Sequence, residues 1–186
     1  MVSTVDDTKR LAIATKLADM KALQNLLISN EEKFLQDCTE DEIHKRLQDM
    51  LKDDRKNLGV LDTAIVQYGV QSELQETTQK LIEEGKKLME SSELTLFEKV
   101  SQHELLKHKQ TMTGLLIHKA AQVVGANIEA AIAPLNAVNF ENRTHERATQ
   151  RNSGNSRRSR IDRTRAIPRI VGTGSRCCRR LIRRGG

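Results

Sequence analysis

The sequence predicts an all-α fold, an antiparallel four-helix bundle with a helical crossover between its second and third helices. Three observations predict it. The 186 residues include only three Phe, one Tyr and no Trp, so the interior must be Leu, Ile, Val, Met and Ala, a palette that suits helices better than sheets. Apolar residues recur at the three-and-four spacing of a helix through three long runs and a shorter fourth. The length is that of one ordinary domain, which needs one core.

The first run, Leu11 to Leu35, contains neither Gly nor Pro and ends at the polar Gln36-Asp37-Cys38. Thr39 followed by Glu42 carries the spacing of a capping box, and the second run, Ile43 to Tyr68, stops at Gly69. Ser72 to Ser91 is polar and charged with few core positions, as a crossover between two hairpins would be. The third run, Leu94 to Val124, closes at Gly125, and the fourth, Ile128 to His145, carries Pro134 as a kink.

Charge divides the chain in two. Residues 1–146 hold 18 Lys and Arg against 24 Asp and Glu, whereas residues 147–186 hold 13 Arg, no Lys and the single acid Asp162. The first part is the bundle domain, net −6, and the second an arginine-rich tail, net +12. From Arg147 the helical period stops, and two readings of the tail stay open. It is an unstructured arm able to hold phosphates by charge alone, without aromatic residues for base stacking. Otherwise it is a frameshift product: H-E-R-A-T-Q-R can be encoded through a tandem GAGC repeat, and deleting one copy restores H-E-Q-L-K-G-I-L-E-I-L, which resumes the lost period.

Cys38 stands alone and Cys177 adjoins Cys178, which is neither a disulfide framework nor a CxxC metal spacing. The amino terminus lacks the pattern of a signal peptide, and no run approaches the ~20 apolar residues of a membrane span. A cytoplasmic protein with no membrane partner is expected.

The sharpest feature is polar. In the third run, Phe97, Val100, Leu105, Met112 and Leu115 share a face with Glu104 and His108 at its centre, while Thr111 and His118 lie on its margin and His103 points away. Glu141 and His145 form a second pair four residues apart. About a turn near Gly125 the heights match, so each His faces the other helix's Glu. Glu31 falls in the arc of Ile13, Leu17, Ile28 and Leu35, and Asp54 in the arc of Leu47, Leu51, Leu58, Leu61 and Ile65. Converging buried carboxylates demand protons, hydrogen-bonded partners or a cation, and a shared divalent cation would satisfy them. The heights of Glu31 and Asp54 disagree by about seven residues, roughly 10 Å, because Asp54 should stand opposite Gln24. Asp62 is an alternative to Asp54, and His44 reads as a surface or capping residue.

The stretches H-E-L-L-K-H-K-Q-T-M-T-G-L-L-I-H-K-A-A-Q (His103 to Gln122) and A-P-L-N-A-V-N-F-E-N-R-T-H (Ala133 to His145) resemble bacterial, chiefly cyanobacterial, proteins of the haemerythrin (HHE cation-binding) type. That resemblance implies a bundle holding non-haem iron, as a di-iron centre, that binds or senses oxygen. The match is imperfect: the second helix has no HxxxE, and four residues after His108 stands Met112. Ferritin-like di-iron carboxylate bundles are a nearer comparison. The expected ligands are Glu104, His108, Glu141 and His145, completed by Glu31 and Asp54, with iron, or manganese or zinc in its place. The expected partners are the metal, O2 or peroxide, and a second copy in a homodimer. Two alternatives stand beside it: a non-catalytic helical interaction or stress protein whose buried Glu-His pairs are structural, and nucleic-acid binding through the basic tail.

Overall fold

The computed structural model describes residues 5–145, and both expectations for the tail lie outside them. Within that range the chain is all-helical: α1 Val5–Asp37, α2 Asp41–Tyr68, α3 Glu76–Glu90, α4 Leu96–Val124, α5 Ala126–Ile132 and α6, residues 135–145. The α5–α6 break falls at Ala133-Pro134, where the proline ring cannot continue the hydrogen-bond ladder.

Helix ends fall where backbone chemistry demands them. Gly69 ends α2 in the left-handed conformation at φ 73°, its N–H donating to Ile65 O. Gly125 ends α4 at φ 147°, donating to Ala121 O. The capping box expected at Thr39 does not form: the N-cap of α2 is Glu40, without a side-chain hydrogen bond. The box belongs to α4, where Thr95 Oγ1 accepts from Glu98 N and Glu98 Oε2 accepts from Thr95 N.

The chain folds back on itself at each long turn. Tyr68 reaches Arg10 O, Lys21 pairs with Asp62 and Arg55 with Glu32, which sets α2 antiparallel to α1. Glu31 meets His103, whereas Met20 meets Gln110, so α4 also runs against α1. Lys56–Glu141 and Asp53–His145 place α6 against α2. The crossover helix α3 runs along α1, from Lys16–Gln75 at one end to Lys33–Glu90 at the other.

The interior changes character along the bundle. One half is apolar, with Ile13, Leu17, Met20, Leu61, Ala64, Ile117, Ile132, Leu135 and Val138 packed together. In the other half the inward positions are polar: Gln24, Asn30, Glu31, Asp54, Asn57, His103, Lys107, Gln110, Asn142 and His145 are all buried. A smaller apolar cluster of Leu23, Leu26, Leu27 and Leu106, with Leu81 and Ile82 of α3, seals one flank of that half.

Candidate functional site

The buried polar half centres on Lys107, whose side chain is 1% exposed. Its ammonium lies 2.9 Å from Glu31 Oε1 on α1, 2.5 Å from Asp54 Oδ2 on α2 and 3.1 Å from His145 Nδ1 on α6. One cation thereby ties α4 to three other helices. His103, one turn before Lys107, sets Nε2 3.2 Å from the same Glu31 oxygen and packs edge-on against Phe34 at 5.3 Å. His145 extends the chain of contacts outward, with Nε2 3.2 Å from Asp53 Oδ2 near the surface. On the other side Gln110 donates to Met20 O and Gln24 Oε1, and Gln24 donates to Asp54 O.

Charge follows from that geometry. Burial pushes the Asp54 carboxyl up, but the His145 hydrogen bond, the Lys107 charge and hydrogen bonds with Glu31 and Lys107 outweigh it. Together they hold Asp54 below the ordinary carboxylate range. The carboxylate stays ionised in a place where burial alone would neutralise it.

Three of the six expected ligands depart from their assigned places. Glu31 and Asp54 do converge, both fully buried. Asp54 also stands opposite Gln24, as the heights required, and the long Lys107 side chain spans the offset to Glu31. His145 joins them. His108 is exposed and Glu104 half-buried on the flank of α4, and Glu141 faces outward to Lys56 at 3.3 Å. The two Glu-His pairs therefore do not face one another. Asp62 pairs with Lys21 at the surface, at 2.7 Å.

The cause is a rotation of α4. Its buried positions are His103, Leu106, Lys107, Gln110, Thr111, Thr113, Gly114, Ile117 and Ala121, so His103, expected to point away, points in. Leu105 and Met112, expected in the core, are 63% and 46% exposed. The residue missed was Lys107, because a lysine counts as a surface residue in any periodicity reading. The signal lay in its companions, since Lys107, Gln110 and Gly114 share a face with Ile117 and Ala121.

This donor set does not fit iron. The place between the carboxylates is taken by an ammonium, and among the described residues no group of three or more His, Cys, Asp or Glu is arranged to hold a metal ion. The cluster is equally unsuited to acting on a large substrate. With Glu31 and Asp54 fully buried and Lys107 almost so, no phosphodiester can reach it. The arrangement sets charges of four helices, α1, α2, α4 and α6, against one another in the bundle's interior.

No helix among the described residues is long and apolar enough to cross a membrane. No protein-family model matches the chain, and no solved structure matches it. A protein of Nostoc sp. (strain PCC 7120) named DNA nickase is 61% identical to it over 146 residues, 78% of this chain and 42% of that protein. The chain spans less than half the length of this curated relative. The expectation of an iron- and oxygen-handling bundle is thereby corrected. The similarity is to a protein named for DNA, and the place expected for a metal is filled by Lys107.

Proposed function

We propose that this chain acts at DNA, with the helical bundle as a rigid scaffold and the arginine-rich segment 147–186 as its phosphate contact. The observation that carries the proposal is the 61% identity over 146 residues to a protein named DNA nickase. Electrostatics favour that segment as the contact. Residues 1–146 carry net −6, and several of their surface cations are paired with acids, Lys21 with Asp62, Lys33 with Glu90, Arg55 with Glu32 and Lys80 with Glu76. Such a surface repels a phosphate backbone, whereas 13 arginines against one acid attract it. Arginine suits the task because its planar fork donates two parallel hydrogen bonds to phosphate.

The bundle supplies no bond-breaking group from its centre, because the charge cluster is enclosed. Strand cleavage, if this chain shares it with its relative, belongs to side chains outside that cluster.

Electrophoresis of supercoiled plasmid with the purified full chain tests the proposal. Retardation of the plasmid at moderate salt is the expected result, and conversion to the nicked circle on the same gel would extend the proposal to cleavage. A variant with Arg157, Arg158, Arg160, Arg163 and Arg165 changed to Ser should lose most of the retardation. Unretarded plasmid at every protein concentration would overturn the DNA assignment. Retardation unchanged in the arginine variant would overturn the assignment of the contact to 147–186.

A further inference from the structure

Helix α4 carries apolar residues on two opposite faces, and the core uses one. Leu105, Met112, Leu116 and Val123 are 63%, 46%, 62% and 73% exposed. At about 100° per residue they fall within an arc of roughly 40°, diametrically opposite the face that carries Lys107, Gly114 and Ala121 inward. Their 7-4-7 spacing is that of a helix-pairing seam rather than of scattered surface residues.

The seam also has an internal symmetry. Leu105 and Val123 each lie nine residues from position 114, and Met112 and Leu116 each lie two. Two antiparallel copies of α4 crossing at 114 therefore set Leu105 against Val123 and Met112 against Leu116, twice over. A seam that matches itself under a two-fold axis is what an isologous contact requires. We propose that the outer face of α4 is a self-association surface on which a second copy of this chain packs, α4 antiparallel to α4.

The area says how tightly. The eighteen 1.5 Å steps from Leu105 to Val123 make a strip ~27 Å long and ~10 Å wide, so ~270 Å² on each copy and ~540 Å² for the pair. Stable interfaces bury about 1,200 Å² or more. The flanking apolar groove between α1 and α4, of about 360 Å³ and lined by Ala12, Ile13, Ala120 and Val124 among others, adds to the strip without bringing it far into the stable range. The pair is accordingly weak and reversible. It also responds to salt in an unusual direction. From Leu105 to Val124 the helix has no acid, and Lys109 and Lys119 flank the seam. Bringing two such faces together concentrates like charge at the rim, so screening by added salt tightens the pair, whereas an interface held by ion pairs loosens.

Sedimentation velocity of the full chain over a concentration series is the test, at low and high salt. The expected result is a monomer–dimer equilibrium whose midpoint moves to lower concentration as salt rises. Leu105→Lys/Leu116→Lys, at positions already mostly exposed, should leave helicity unchanged and abolish the dimer. Orientation is read by cross-linking in a background of Cys38→Ser, Cys177→Ser and Cys178→Ser. Chains carrying Met112→Cys mixed with chains carrying Leu116→Cys should give a disulfide-linked heterodimer well in excess of Met112→Cys linked to itself. A monomer at every concentration overturns the proposal and leaves the face to another partner. A dimer unaffected by the lysine pair, or one in which Met112→Cys links chiefly to itself, overturns it as well.

Discussion

Replacing Lys107 by Met keeps the volume and the methylene packing of the side chain while removing the one charge that Glu31 and Asp54 share. The loss is worked from the contacts. Both carboxylates are fully buried, at 2.9 and 2.5 Å from the ammonium, and removing one partner of a buried ion pair costs about 3–5 kcal/mol because the other is left uncompensated. Two carboxylates lose the ammonium here, but His103 still meets Glu31 and His145 still meets Asp54, so a cost of about 4 kcal/mol, the middle of that range, applies. With a urea dependence of about 2 kcal/mol per molar, the unfolding midpoint followed by helical circular dichroism should fall by about 2 M.

The pH response is the sharper signature. In the native chain the folded-state Asp54 carboxyl titrates below its ordinary value of 3.8. Its contribution to stability is therefore present above about pH 4 and is lost as pH falls below that value. In Lys107→Met the ammonium's share of that lowering is lost while the His145 hydrogen bond remains, so Asp54 should titrate higher than in the native chain, and the fall in stability that it causes on acidification should be smaller in the variant and complete at a higher pH. The triple variant Lys107→Met/Glu31→Gln/Asp54→Asn should recover most of the loss. A Lys107→Met midpoint within about 0.5 M of native, equivalent to about 1 kcal/mol, with the same pH profile, would refute the argument that Lys107 holds the bundle's centre.

Three further outcomes follow from the backbone and its caps. A Cβ at Gly114 would lie 1.8 Å from Asn139 Oδ1, so Gly114→Ala should cost about 1–3 kcal/mol by overpacking, with part regained in Gly114→Ala/Asn139→Ala; thermal melts of the three chains decide it. Gly59 sits exposed within α2, where an added methyl would meet nothing within 4 Å, whereas Gly69 holds φ 73°, so Gly59→Ala should stabilise by about 0.5–1 kcal/mol. Gly69→Ala should destabilise by about 1–2 kcal/mol, and opposite signs in parallel urea titrations are the check. Thr95→Ala removes the capping box of α4 and should cost about 1 kcal/mol, whereas Thr39→Ala, outside any cap, should cost little.

Much of the fold was legible because its punctuation is local. Gly69 and Gly125 tolerate positive φ values that other residues resist, and each ends a helix as expected, whereas Pro134, expected as a kink within one helix, splits that run into α5 and α6. Glu31 and Asp54 were legible as inward residues for a similar reason, since each sits among apolar residues at helical spacing. The rotation of α4 was not. Leu105, Met112, Leu115 and Leu116 make its outer face as apolar as its inner one, so a periodicity argument selects the wrong side. The inner face is polar because it must meet Glu31 and Asp54, and that demand comes from two other helices rather than from α4 itself. Thr95 and Glu98 carried the same capping spacing as Thr39 and Glu42; which of the two boxes forms depends on where the preceding turn releases the chain, and sequence spacing does not contain that.

Whether this chain holds DNA through the arginines of 147–186 is decided by the salt dependence of binding. Fluorescence anisotropy of a labelled duplex, titrated with the full chain at a series of salt concentrations, should give a linear fall of log affinity with log salt. Each neutralised phosphate contributes about 0.9 to that slope, so changing Arg157, Arg158, Arg160, Arg163 and Arg165 to Ser should flatten it by up to about 4.5. Binding with no salt dependence, or a slope identical in the two chains, would overturn that assignment.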